Sequence, residues 1–299
     1  MSFEIVNYPL VAQGIRTRVL EAGEGERSLL FVHGLGARAD RWRRNLGAMA
    51  DLGWRCVAID LPGHGFADKG PGLPADVHAM ADYVTAVAKE LCLGETVLVG
   101  TSLGGHVLGQ VALDGGIDVR GLMLIGTLGL FPLDPAVAAA IRASVAETSL
   151  EAIRRKLAFV MKIHDGITPG FVREEFMINN SAGAKESFER LGECLVNQLN
   201  SDVIGSRLKA LSTRLPVSVV WGSLDEAVPV KIAHDANRLL GLPAPTLIEG
   251  AGHAPYWERA NSFNPLLADF AAHAFGGRPD IGTLFVPTDR RPAAGHPER

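Results

Sequence analysis

One serine in this chain sits where a serine can be made reactive. Ser102 lies in Gly100-Thr101-Ser102-Leu103-Gly104, between an apolar, β-branched run at 95–99 and a helical pattern beginning at Leu103. Passing from strand to helix in so few residues lifts the hydroxyl out of the sheet, in a strained conformation costing about 1–3 kcal/mol. The same turn sets it at a helix N-terminus, where free N–H groups and the helix dipole favour developing negative charge. Alone the pattern is a weak signal, because a glycine-rich turn can hold an ordinary serine. A serine hydroxyl is a poor nucleophile near neutral pH and needs a base within hydrogen-bond reach, oriented in turn by an acid.

Two later turns offer that base and acid. His253, in Gly250-Ala251-Gly252-His253, directly follows an apolar strand at 246–248. His273, the other late histidine before the tail, falls inside a helical stretch. Asp225 follows an apolar strand at 217–221, with Pro229 set to open a helix behind it. Asp134 is the other possible acid, and the neighbouring Glu226 is expected in solvent. Acyl transfer through Ser102 would develop an oxyanion. Its expected donors are the backbone N–H groups of Leu103 and of Leu35, the latter in a loop where Gly34 and Gly36 let main chain approach. His33, His64 and Asp60 are expected to brace their turns. The histidines show no metal-ligand spacing, so neither a metal nor another cofactor is expected.

These residues must be held by particular elements. Strands are expected at 3–8, 14–21, 28–32, 55–59, 95–99, 121–125, 217–221 and 246–248, the first two as a hairpin around Gln13-Gly14. Helices are expected from Asp40 as N-cap, at 75–93, 103–114, 229–241 and 262–276. This alternation predicts an α/β fold with a mainly parallel sheet of about eight strands, whose chemistry collects at the carboxyl ends. Between 130 and 210 the pattern changes to amphipathic helices at 136–163 and 170–210, broken by Asp165-Gly166-Ile167-Thr168-Pro169-Gly170. Placed over the carboxyl ends, they would form a helical lid. The expected organisation is an α/β core at 1–129 and 211–276, the lid at 130–210, and a mobile tail at 277–299 in which Leu284-Phe285-Val286 could dock.

Composition narrows the partners. The formal charge of −4 leaves no basic footprint for nucleic acid. No run of about 18 apolar residues could span a bilayer. The first residues carry no basic and apolar leader, and the three cysteines are odd in number and widely spaced, which points to a reduced, cytoplasmic protein. The expected partner is a small molecule, and the protein is expected to be a monomer or homodimer.

Taken together, His33-Gly34, Asp60-Leu61-Pro62-Gly63-His64-Gly65, the serine turn, Asp225 and His253 resemble the α/β-hydrolase family over roughly residues 3–276, in its order of serine, acid and histidine. The resemblance implies catalytic roles for Ser102, Asp225 and His253 and oxyanion roles for the amides of Leu35 and Leu103. Within the family, Trp42, Asn45, His253-Ala254-Pro255-Tyr256-Trp257-Glu258, Phe263-Asn264 and the segment 165–176 are similar to the branch of meta-cleavage-product hydrolases. Those enzymes split a carbon–carbon bond in ring-opened aromatic catabolites. This chain departs from the branch at two places. It has Gly-Thr-Ser-Leu where the branch has Gly-Asn-Ser-Met, and Glu175 falls on the lid arginine that grips the substrate carboxylate, with Arg173 nearby.

The residues therefore predict a serine hydrolase that cleaves a carboxylic ester of a small, partly apolar molecule through an acyl-enzyme. The alternatives are a carbon–carbon bond hydrolase of vinylogous diketone acids in aromatic catabolism, and a non-catalytic ligand receptor on the same fold. Dehalogenases and epoxide hydrolases use an aspartate where Ser102 stands, which sets them aside. Trp42, Phe131, Phe159, Arg173, Phe176 and Trp257 are the expected pocket residues.

Overall fold

The computed structural model of the chain describes residues 3–277. The expectations for the tail, Leu284-Phe285-Val286 included, fall on residues outside that range. Eight strands form one sheet: β1 (Val6–Ala12), β2 (Ile15–Ala22), β3 (Ser28–Val32), β4 (Arg55–Ile59), β5 (Thr96–Thr101), β6 (Val119–Ile125), β7 (Val217–Gly222) and β8 (Thr246–Ile248). Their order is β1-β2-β4-β3-β5-β6-β7-β8. Strand β2 is antiparallel to both β1 and β4, and every pairing from β4 to β8 is parallel. The opening hairpin begins three residues later than the sequence pattern suggested. Its two-residue turn is Gln13-Gly14, with φ of 51° and 75°, the left-handed pair that a tight hairpin of this kind requires.

Helices alternate with the strands. They are α1 (Arg43–Ala50), α2 (Val77–Glu90), α3 (Leu103–Asp114), α4 (Pro135–Ala146), α5 (Leu150–Val160), α6 (Pro169–Asn179), α7 (Ala184–Asn197), α8 (Gly205–Leu211), α9 (Val230–Leu240), α10 (Pro255–Glu258) and α11 (Ala260–Ala274). The inner strands are buried on both faces, so successive residues alternate between two cores. Leu30, Val32, Val57, Ile59 and Leu98 face α2, α3 and α9. Leu29, Phe31, Cys56, Ala58, Val97 and Val99 face α1 and α11. Each such aliphatic side chain, withdrawn fully from water, stabilises the fold by roughly 1.5–3 kcal/mol.

Helices α4–α7 stand between β6 and β7 in the sequence, and they pair as α4 with α7 and α5 with α6. Phe188 and Leu191 of α7 join the first core, and Leu157 of α5 and Val172 of α6 join the second. Helix α8, also in the predicted helical stretch, packs instead on α3 and α9. Asp40 does not cap a helix. A short 3₁₀ turn (Ala39–Trp42) precedes α1, and the Asp40 carboxylate is taken by Arg18, Arg38 and Arg43 at 2.5, 2.7 and 2.7 Å. Three guanidiniums converging on one carboxylate outbid a single helix N–H. Among the described residues no helix is long and apolar enough to cross a membrane.

The turn after β5 works only because α3 comes very close to β3. A Cβ built on Gly104 would lie 2.4 Å from the carbonyl oxygens of both Val32 and His33. Those oxygens are backbone and cannot swing away. Gly104→Ala should therefore destabilise the fold by roughly 3 kcal/mol, lowering the Tm by about 5–10 °C. Thermal unfolding checks this, and an unchanged Tm would remove the constraint.

Candidate active site

The carboxyl ends of the parallel strands bring the chemistry-bearing residues together. Ser102 follows β5, Asp225 follows β7 and His253 follows β8. Ser102 has φ 52° and ψ −119°, a left-handed conformation that strains a residue bearing a Cβ. Its N–H donates to Ile125 at 2.9 Å, and its carbonyl accepts from Gly105, His106 and Leu128. The strained residue is thus held from both sides.

Asp225 and His253 form a hydrogen-bonded pair, with Oδ2 2.8 Å from the imidazole Nδ1. The other carboxylate oxygen accepts the N–H groups of Ala227 and Val228 at 2.9 and 3.0 Å. Asp225 is therefore fixed as an acceptor, which selects the tautomer of His253 with hydrogen on Nδ1 and leaves Nε2 basic. Ser102 and His253 line the same cavity of about 750 Å³. Leu35 lines it too, and Gly34 brings this loop against Ser102, because a Cβ there would lie 2.9 Å from Ser102 Cβ. Leu103 opens α3, where a first-turn N–H has no intrahelical acceptor. The arrangement can hold a hydroxyl beside an oriented imidazole, with two main-chain segments placed to donate to an oxyanion.

His33 and Asp60 brace the neighbouring turns. His33 Nδ1 donates to the Gly34 carbonyl at 2.8 Å while Nε2 accepts the Leu61 N–H at 3.0 Å. Only a neutral imidazole satisfies both bonds. Burial holds His33 down to about 4, against the pull of its bond to Gly34. Burial likewise holds His64 down to about 3. The Asp60 carboxylate accepts from Arg18 and from the N–H groups of Ala39 and Phe66.

Two buried acids carry more of the site than sequence reasoning assigned to them. Glu258 Oε1 accepts the N–H groups of Gly252 and Ala254 on either side of His253, at 2.9 and 3.3 Å. Its Oε2 accepts those of Lys162 and Ile163 at 2.6 and 2.9 Å. One carboxylate thus ties the histidine turn to the chain leaving α5, and the His253 N–H itself donates to Val160 at 2.7 Å. Glu175, on α6, is 3% exposed. It pairs with Arg41 at 3.1 Å and with Arg38 at 3.5 Å. The only sequence signals were the Glu after His-Ala-Pro-Tyr-Trp and the arginines at 38 and 41.

The pocket expectations divide. Phe159 lines the cavity, together with Ile141, Val145, Leu157, Phe188 and Tyr256. Trp42 lies behind the wall, fully buried and stacked on Tyr256 at 4.0 Å. Trp257 turns away from Tyr256 toward Phe171 and the Arg44 guanidinium, as adjacent residues on one helical turn must. Phe131 and Phe176 pack against the two cores, where aromatic area is worth more than at a wetted wall. Arg173 is exposed, because Val172 and Glu175 take the inward positions of α6. Asp134 caps α4, accepting from Ala136 at 2.8 Å. Among the described residues no group of His, Cys, Asp and Glu side chains could hold a metal ion.

With this geometry in hand, the similarities to known proteins are informative. The alpha/beta hydrolase family profile matches residues 29–265. The chain belongs to the alpha/beta hydrolase family. It is 32% identical over 263 residues to the dihydrolipoyllysine-residue acetyltransferase component of an acetoin cleaving system from Cupriavidus necator, a match covering 85% of this chain. The match spans 66% of that longer protein. It is 27% identical to a 2-hydroxy-6-oxononadienedioate/2-hydroxy-6-oxononatrienedioate hydrolase from Klebsiella pneumoniae, over 87% of this chain and 92% of that protein. The solved 2-hydroxy-6-oxo-6-phenylhexa-2,4-dienoate hydrolase from Rhodococcus superposes with a TM-score of 0.78 at 22% identity, covering 90% of this α/β hydrolase and 99% of that chain. As the sequence pattern implied, the fold is the α/β-hydrolase fold and the protein is a hydrolase.

Two measurements test the bracing residues. Glu258→Gln would turn an amide N–H toward N–H donors, and should lower kcat by about tenfold along with the Tm; steady-state kinetics on any turned-over substrate and thermal unfolding check both. An unfolded histidine titrates near 6.5 whereas His33 stays neutral to about 4. Between these values the unfolded chain binds the additional proton, so the contribution is complete above pH 6.5 and falls as pH falls toward 4. For His33 alone this amounts to about 3 kcal/mol. Urea unfolding at pH 7, 5.5 and 4.5 should show stability decreasing across the series, and a flat profile would overturn the neutral assignment.

Proposed function

We propose that this protein is a serine hydrolase acting on carboxylic esters of small, partly apolar molecules. Ser102 attacks the ester carbonyl as His253 Nε2 takes its proton, and the amides of Leu35 and Leu103 receive the oxyanion. His253 returns the proton to the leaving alcohol, and the acyl group stays on Ser102. Water then enters, His253 removes its proton, and the acid product departs with the hydroxyl of Ser102 restored. Asp225 holds the imidazole tautomer and stabilises the imidazolium as it forms. No cofactor enters these steps. Helices α4–α7 serve as a lid over the reacting groups, keeping water from the acyl-enzyme until the alcohol has left.

One observation carries the preference for an ester: both arginines of the cavity wall are already paired, Arg41 with the buried carboxylate of Glu175 and Arg155 with Glu147. A dienoate acid needs a cation free to bind its carboxylate, and these arginines are engaged. A second reading, hydrolysis of a carbon–carbon bond in a ring-cleavage acid, is favoured by the activity of the Klebsiella pneumoniae relative and by Lys156, which lines the same cavity. Three free cysteines support a reducing, cytoplasmic setting, and the partner is a small molecule taken by a monomer or homodimer.

The deciding experiment compares kcat/KM for small neutral aryl and alkyl esters with that for ring-cleavage dienoate acids, using Ser102→Ala as the blank. The ester reading expects esters to lead by at least about tenfold, and Ser102→Ala or His253→Ala to reduce turnover by about 10³-fold or more. A lead for the dienoates would transfer the assignment to the second reading. Substantial activity left in Ser102→Ala would remove the serine from the mechanism.

A further inference from the structure

Helix α4 carries more apolar surface than the protein covers. Ala138 is its only buried residue and joins the first core, where α4 packs on α7. Val137, Ile141 and Val145 follow at four-residue spacing, with Ala140 and Ser144 between them, and all five line the cavity that holds Ser102 and His253. Residues so spaced share one helix face. Val137 stays 44% exposed, and Phe159 of α5, on the same cavity, 49%. Leu157, Val160 and Met161 of α5 and Phe188 of α7 continue the apolar lining. Single exposed apolar side chains are ordinary, but a continuous row of them beside a serine and an oriented imidazole marks a surface that a ligand covers.

The volume of about 750 Å³ is far more than a short ester fills. An acetate or butyrate would leave most of the apolar lining against water. From Val137 to Val145 the row is roughly 12 Å long, at about 1.5 Å per helical residue. An extended hydrocarbon chain advances about 1.25 Å per carbon, from ordinary bond lengths and angles, so about ten carbons match the row. The charged residues of the lining are engaged within the protein. Arg155 donates to the carboxylate of Glu147 and Lys156 to its carbonyl, on the connection from α4 to α5. Glu226 pairs with Lys162 at 2.8 Å, and Arg41 with Glu175 at 3.1 Å. A neutral hydrocarbon chain displaces none of these bonds, whereas an anionic one would approach Glu147 or Glu175. We propose that the row of Val137, Ile141 and Val145 binds an unbranched hydrocarbon arm of the ester, about eight to twelve carbons long. This rests on the ester reading and names its substrate class.

The test follows kcat/KM along two series kept below their solubility limits. The 4-nitrophenyl esters from acetate to dodecanoate lengthen the acyl arm, and the alkyl acetates from methyl to dodecyl lengthen the alcohol arm. Each methylene withdrawn from water is worth up to about fourfold. At least one series should therefore rise toward ten carbons, by at least about 30-fold over its four-carbon member. Two series that are flat or falling beyond four carbons would overturn the proposal. Ile141→Gln, which wets the middle of the row, should lower the ten-to-four-carbon ratio by about tenfold. Val145→Trp, which fills its end, should move the maximum to shorter chains. An unchanged ratio in the first, or an unchanged maximum in the second, would each overturn the assignment to α4, so it remains falsifiable if either variant fails to fold.

A readout without turnover separates this proposal from the ester reading. In the Ser102→Ala background, calorimetric titration with the neutral ketones 2-hexanone and 2-dodecanone reads the arm alone. The longer ketone should bind at least about 30-fold more tightly, with a negative heat-capacity change. If wild type hydrolyses none of the esters yet this preference appears and Ile141→Gln weakens it, the ester reading fails and the row stands. If esters are turned over without chain preference and the two ketones bind alike, the row falls and the ester reading stands.

Discussion

Everything reactive in this molecule depends on how closely the backbone of α3 lies against the end of β3. With no side chain at Gly104, the helix start meets the carbonyl oxygens of Val32 and His33 directly. That approach sets Ser102 in its strained conformation and brings the Gly34–Leu35 loop beside it. Strain of this kind persists only where the surroundings over-determine it. Here the sheet does so, through the Ser102 bond to Ile125 on β6 and through the buried aliphatic rows of β3 and β5 on both faces. Stability stored in the strands is thereby converted into position at one hydroxyl.

Around this centre, buried charge performs the alignment that apolar packing cannot. Asp60, Asp40, Glu175 and Glu258 are each enclosed by donors, and each joins segments distant in sequence: β2 to the turn after β4, the 3₁₀ turn to α6, the histidine loop to the end of α5. Such groups are expensive to withdraw from water, and each is compensated by donors within hydrogen-bond distance. Burial alone would raise the Asp40 carboxyl. The bonds from Arg43 and Arg18 and the charge of Arg38 outweigh it and hold it down to about 2. Burial works against the charge of Arg38 as well, and Glu175, Asp40 and Glu174 raise it above its ordinary value nonetheless. The neutral histidines at 33 and 64 are the counterpart: their rings bond only to backbone, and burial keeps the imidazole uncharged.

The sequence made the centre legible and left the walls obscure, for physical reasons. Ser102, Asp225 and His253 announce themselves because each follows an apolar strand, and strand ends in a parallel sheet converge on one edge. The sheet itself was readable from runs such as Leu29-Leu30-Phe31-Val32, buried on both faces. Side-chain direction within the helices was not. Trp257 and Tyr256 are adjacent and equally aromatic, yet only the tyrosine reaches the cavity. Arg173 and Glu175 differ by two positions on α6, which is enough to put one in solvent and the other at an ion pair. That pair needs Arg41, 134 residues away, and no local pattern foretells such a partner. Asp40 read as a helix cap because caps are local, whereas its arginine partners include Arg18 from a different strand.

The fastening of the histidine loop has a mechanical consequence. Val160, Lys162 and Ile163 are joined by main-chain hydrogen bonds to His253 and to the carboxylate of Glu258, so the end of α5 cannot swing outward without dragging the His253 imidazole off its axis. Helix α4 is differently secured: Ala138 is its only buried residue, and Asp134 caps it from its own chain. The wall along α5 is thus bonded directly to the histidine turn, whereas the wall along α4 meets the rest of the fold through its packing on α7.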